Sequence, residues 1–135
     1  MPLSLSPEKA DLARAFATAL RPGQRVCITT HVNPDGDGLG SEVGLVHLLR
    51  AQNIDAVITN PSPTPPRFSF LFDDLPGVDK TQEAVRELRR AELIIVLDIA
   101  DLTRLGMLID LSPMSGVHVD PEAQRAYIGG GADWG

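Results

Sequence analysis

At 135 residues, 43% hydrophobic and 22% charged, the chain has the size and composition of one globular domain, which excludes a disordered or collagen-like polymer. Twelve basic against eighteen acidic residues leave a net charge of −6, which argues against a long footprint on duplex DNA or RNA but not against a small nucleotide held through metal ions. No apolar run reaches the ~18 residues of a membrane helix, no secretory leader is visible, and the single cysteine, Cys27, forms neither a disulfide framework nor a multi-Cys zinc site, so a soluble cytoplasmic protein is expected.

Ser6-Pro7-Glu8 reads as a helix start, with an N-cap, a proline at the first helical position and an acid in the first turn. Leu12, Phe16 and Leu20 continue it as one apolar face, and Pro22-Gly23 ends it. Val26 to Thr30 is a β-branched run suited to a buried strand. A loop is expected from His31 to Gly40, then a helix from Ser41 to about Gln52 whose buried stripe is Val43, Val46 and Leu49. Asp55 to Thr59 reads as a second strand. Four prolines within residues 61–66 predict a loop. A charged helix over 81–91 leads into Leu93 to Leu97, apolar throughout as in a central parallel strand, with Asp98 at its carboxyl end. Beyond Ser112 the sequence is rich in Gly and Pro and predicts at most one strand, Gly116 to Val119. Strands alternating with helices define an α/β fold, a doubly wound, mainly parallel sheet, whose ligand site lies beyond the strand carboxyl ends.

The chemistry-bearing segment is His31-Val32-Asn33-Pro34-Asp35-Gly36-Asp37-Gly38-Leu39-Gly40-Ser41. One imidazole and two carboxylates follow a buried strand, and Asp98 arrives at the same edge from another. Pro-Asp-Gly alone is commonly just a turn. Convergence of these groups instead suits Mn²⁺ or another first-row divalent ion better than a structural zinc site. Gly38 and Gly40 allow close approach of a phosphate, and Ser41, as the opener of the next helix, would place the anion-favouring helix end there. Two ions ~3.5–4 Å apart at this edge would polarise a phosphoryl oxygen and generate hydroxide for in-line attack. Arg104 is a candidate phosphate ligand through bidentate pairing, an exposed ion pair being the alternative. His47 reads as a helix-surface or boundary residue, Cys27 as a small buried hydrophobe, and Arg86, Arg89 and Arg90 as a solvated helix face.

The His31–Ser41 segment resembles the first motif of the DHH phosphoesterase superfamily. Leu97-Asp98-Ile99-Ala100-Asp101-Leu102-Thr103-Arg104-Leu105-Gly106 resembles its second. The pair is similar to the oligoribonuclease/3′-phosphoadenosine-5′-phosphate phosphatase branch, over about Arg25 to Gly106. The resemblance implies that His31 and Asp35 hold one Mn²⁺, that Asp37 holds the second, and that Asp98 bridges the two as the catalytic residue. It also implies a metal-activated hydroxide acting on short oligoribonucleotides or on the 3′-phosphate of adenosine bisphosphate. The expected partners are such an RNA or nucleotide and a second copy of the chain in a homodimer, with neither duplex DNA nor membrane.

The sequence departs from the family after the second motif. Where the family reads Ile-Asp-His-His-Pro, this chain reads Val117-His118-Val119-Asp120-Pro121, which sets Val119 and Asp120 on the two histidines. With His31, His47 and His118 as the only histidines, no adjacent pair exists. The expectation is therefore a partial DHH N-terminal domain over 1–135, lacking the family's C-terminal substrate-binding domain. Three readings follow: a Mn²⁺-dependent phosphoesterase, a truncated, frameshifted or degenerate relative that binds metal or nucleotide without turnover, and a plain structural α/β module.

Overall fold

The computed structural model describes residues 6–99 and two later strands, at 117–120 and 125–128. Helix α1, Pro7–Ala19, starts as its sequence dictates: the Ser6 hydroxyl accepts from the Lys9 N–H, and Pro7 occupies the first turn. Its carboxyl-terminal turn meets the core. Phe16, Ala19 and Leu20 pack on the core, whereas Leu12, expected on the same face, remains 41% exposed.

Strand β1, Arg25–Thr29, is the middle strand of a parallel sheet ordered β2-β1-β3, with β2 at Asp55–Ile58 and β3 at Leu93–Val96. Ile28 pairs in register with Ile58 on one side and Ile95 on the other. Side chains alternate across the sheet. Val26, Ile28, Ala56, Ile58, Leu93 and Ile95 share one core with Val46 and Leu49 of helix α2, Gly36–Ala51. Cys27, Val57, Ile94 and Val96 form the second core, with Leu88 of helix α3, Ala84–Arg90, packed on it. Covering both faces explains why Leu93 to Val96 is apolar without alternation. The free edge of β2 is dressed by residues 78–80, since the Ile58 N–H donates to the Val78 carbonyl (2.9 Å) and the Lys80 N–H to the Ile58 carbonyl (2.8 Å).

Several boundaries differ from the sequence reading. Helix α2 begins at Gly36, not Ser41, because Asp35 caps it by accepting from the N–H groups of Asp37 and Gly38. Ser41 therefore lies in the second turn, exposed, and is not the opening residue of the helix. The stripe that α2 buries is Leu39, Glu42, Val46 and Leu49, with Val43 only partly covered. The 81–91 helix is split into a 3₁₀ turn, Thr81–Glu83, and α3. The proline-rich loop feeds a further 3₁₀ segment, Pro66–Phe72, that the pattern did not announce. Near the end, β4 (Val117–Asp120) pairs antiparallel with β5 (Arg125–Ile128). That second strand was not expected, because Arg125-Ala126-Tyr127-Ile128 is short and sits beside a glycine run. No helix among the described residues is long and apolar enough to cross a membrane.

The path from β1 to β2 on one side, and then to β3 on the other, makes the gap between the loops after β1 and β3 a topological switch point. Those two loops carry His31, Asp35 and Asp98.

Candidate metal centre

His31 leaves the end of β1 with only 2% of its surface exposed. Its Nδ1 lies 2.8 Å from the Val32 carbonyl oxygen, a contact that assigns the ring proton to Nδ1 and leaves the Nε2 lone pair directed at the carboxylates. Nε2 is 3.8 Å from Asp35 Oδ2 and 3.6 Å from Asp98 Oδ2. One ligand atom from each of these residues falls within 4.8 Å of the others, close enough to share a single cation. The donor set, an imidazole nitrogen and two carboxylate oxygens, is chemically suited to a divalent first-row metal.

Each carboxylate is set by local chemistry. Asp35 divides its oxygens, Oδ1 capping α2 at 3.1 and 3.0 Å while Oδ2 faces His31. Asp98 ends β3 with φ +54°, a left-handed conformation uncommon outside glycine, although Asp tolerates it better than most. Asn33, in the loop after β1, is likewise left-handed at φ +55°, and its N–H donates to the Ser62 hydroxyl at 2.7 Å, tying the loops after β1 and β2. Gly38 is required by contact. A Cβ there would stand 2.8 Å from Thr30 Oγ1 and 3.4 Å from Asp98 Oδ2. Gly36 has a similar neighbour, the ring edge of Phe68 at 3.2 Å, so the 3₁₀ segment walls the turn that carries Asp35 and Asp37.

Asp37 is exposed in the first turn of α2, and its carboxylate is not in the three-residue cluster. Arg104 lies outside the described residues, as does the second motif beyond Ile99. His47 is half exposed and faces Asp74 at 3.4 Å, away from this chemistry. Cys27 is buried, and burial pushes its thiol up to about 11, which removes it as a nucleophile at neutral pH. A cleft of about 670 Å³ runs along α3 and includes Arg86, Arg89 and Arg90. Arg86 is paired with Glu83 and Glu87, and Arg90 approaches Glu87 at 3.9 Å, so two of these three serve the helix's own ion pairs.

Sequence reasoning missed the polar groups behind the cluster. Thr30, Glu42 and Asn60 are each 1% exposed or less and are joined by hydrogen bonds. The signal available was weak: Glu42 lies on the apolar stripe of α2, where a carboxylate is out of pattern.

An α/β sheet with one His and two Asp side chains converging at its switch point is a doubly wound domain with a candidate metal centre. Residues 25–119 match the model of the DHH family N-terminal domain, and the chain belongs to the DHH family. It is 34% identical over 80 residues to the bifunctional oligoribonuclease and PAP phosphatase NrnA of Thermus thermophilus, an alignment covering 59% of this chain and 23% of that protein. It also resembles the crystal structure of an exopolyphosphatase-related protein from Bacteroides fragilis, with a TM-score of 0.59 and 24% identity over 86% of this chain and 36% of the other. The second likeness speaks for the fold. The chain thus spans about a quarter to a third of the length of these relatives.

Proposed function

We propose that the chain is a Mn²⁺-dependent phosphoesterase acting on short oligoribonucleotides or on 3′-phosphoadenosine 5′-phosphate. The observation that carries this reading is the convergence of His31, Asp35 and Asp98 at the switch point of a DHH-family sheet. The likeness to NrnA supplies the substrate class.

In this reading His31, Asp35 and Asp98 would hold one ion, and Asp37, together with Asp98, would hold a second at the adjoining helical turn. Bound divalent cations there supply Lewis-acid polarisation of a phosphoryl group and activation of water. The chain's own residues prepare the site. The Val32 carbonyl fixes the His31 tautomer, the cap on α2 fixes Asp35, and the left-handed turn fixes Asp98. Two aspartates beside the imidazole, with Asp37 exposed on the next helical turn, repel a phosphate, so an anionic substrate is admitted only once cations offset that charge. This is why activity is expected to depend strictly on metal. The family's paired histidines are replaced in this chain by Val119 and Asp120.

The test is hydrolysis of a 5′-phosphorylated diadenosine dinucleotide by the 135-residue chain, with and without Mn²⁺, beside Asp98→Ala. Turnover that needs both Mn²⁺ and Asp98 is the expected result. Mn²⁺ binding by the folded chain without turnover would replace this reading with that of a metal-binding relative lacking catalysis.

A further inference from the structure

We infer that Glu42, acting through Asn60 and Thr30, is a positioning residue that sets where the Asp98 carboxylate stands relative to His31. The inference rests on the metal-centre reading above and extends it to groups that touch neither metal nor substrate. Asn60, just past β2, spans two elements with one amide: its Oδ1 accepts from the Thr30 N–H at 2.9 Å, and its Nδ2 donates to Glu42 Oε2 at 3.0 Å. Its own N–H donates to the Thr81 hydroxyl at 3.1 Å. The Thr30 hydroxyl in turn donates to the Leu97 carbonyl at 2.9 Å, and the Leu97 N–H donates to the Thr29 carbonyl at 2.9 Å. Leu97 is therefore held at both its backbone groups, immediately before the left-handed turn at Asp98. The packing is tight at the hub, because Gly38 is the residue that lets α2 approach Thr30 and Asp98 together.

Glu42 is an unusual choice for this place. It is fully buried, and its second oxygen, Oε1, has no hydrogen-bond partner among the described residues. Burial, reinforced by the nearby Asp79 carboxylate and opposed by the Asn60 hydrogen bond, pushes its carboxyl up to about 8. An apolar residue on that stripe would avoid the desolvation. What the carboxyl does offer is an acceptor for the Asn60 amide, which orients the opposite end of that amide toward Thr30. Helix α2 thus carries both a metal ligand, at its cap, and the anchor of the strand end that carries the other.

Three variants of the full chain test this by Mn²⁺ titration with EPR detection, metal-free thermal melting and amide NMR spectra. Glu42→Leu and Thr30→Val each remove one link while keeping volume. Both are expected to weaken Mn²⁺ at least tenfold and to shift the Asp98 and Ile99 amide resonances of the metal-free protein. The melting temperature of Glu42→Leu should move little, because losing a desolvated carboxyl offsets leaving Asn60 Nδ2 without its acceptor, a split from Mn²⁺ affinity that a merely structural role would not produce. Glu42→Gln, which still presents an acceptor to Asn60, should bind Mn²⁺ within about threefold of the parent. Unmoved Asp98 and Ile99 resonances in Glu42→Leu and Thr30→Val would overturn the inference whether or not metal binds. Glu42→Gln as weak as Glu42→Leu would overturn it too. A parent chain that binds no Mn²⁺ would instead contradict the metal-centre reading.

Discussion

At the amino end of the sheet, Arg25 stands between Asp55 and Glu87, its backbone N–H donates to Glu92 Oε2 at 2.9 Å, and Arg21 completes the set by pairing with Glu92 at 2.9 Å. At the carboxyl end, Asp35 and Asp98 gather around one imidazole, with Asp37 exposed on the adjoining first turn of α2. The same three strands thus end in a network whose charges answer one another and in a cluster dominated by one sign. The side-chain hydrogen bond from Arg25 holds the Glu87 carboxyl below the usual glutamate range, while burial lifts Glu42, near the other end, to about 8. Both glutamates are almost fully buried, so what separates them is the partner: a guanidinium in one case, an amide in the other. The amino end consumes its charge in holding the fold, and the carboxyl end keeps charge available for a cation.

Breaking the amino-end network should have the largest effect on stability. Arg25→Met leaves Glu87 buried with Arg86 and, at 3.9 Å, Arg90 beside it and is expected to cost ~3–5 kcal/mol in urea unfolding, without altering Mn²⁺ binding of the folded protein. Crowding the carboxyl end should cost less. Gly38→Ala drives a Cβ to 2.8 Å from Thr30 Oγ1 and is expected to destabilise by ~1–3 kcal/mol and to weaken Mn²⁺. Gly40→Ala, with nothing within 4 Å of the new Cβ, should instead stabilise α2 by up to ~1 kcal/mol. Equal effects at the two glycines would erase the distinction drawn here between helix propensity and contact.

The contrast also shows through pH. Glu87, with its folded pKa depressed, contributes stability that is present above the unfolded value of about 4.5 and is lost as pH falls. Glu42, with its folded pKa raised, contributes in the opposite sense: stability present below about 4.5 is lost as pH rises through about 8. Thermal melts from pH 5 to 9 should therefore show Glu42→Gln losing less stability than the parent on the alkaline side. Parallel curves would contradict the assignment of that limb to Glu42.

The convergence of His31, Asp35 and Asp98 was legible because the first two lie in one short segment after a strand and Asp98 follows an apolar run that reads as a central strand, whereas Asp37, from the same segment, stands outside the cluster. The start of α2 was misread for a local reason. Gly36, Gly38 and Gly40 argue against helix by propensity, yet the Asp35 cap and the lack of room beside Thr30 and Phe68 override it. Glu42, Asn60 and Thr30 were not legible, since their meeting depends on the register between β1 and β2 and on which face α2 turns inward. Arg25 was equally silent, because its partners lie 30 and 62 residues away.

The most direct test of a metal centre at the carboxyl edge is the Mn²⁺ stoichiometry of the chain by EPR, compared with Asp98→Ala and Asp37→Ala. Two ions in the parent, none in Asp98→Ala and a weakened second ion in Asp37→Ala is the predicted pattern. Unchanged stoichiometry in Asp98→Ala would contradict the account.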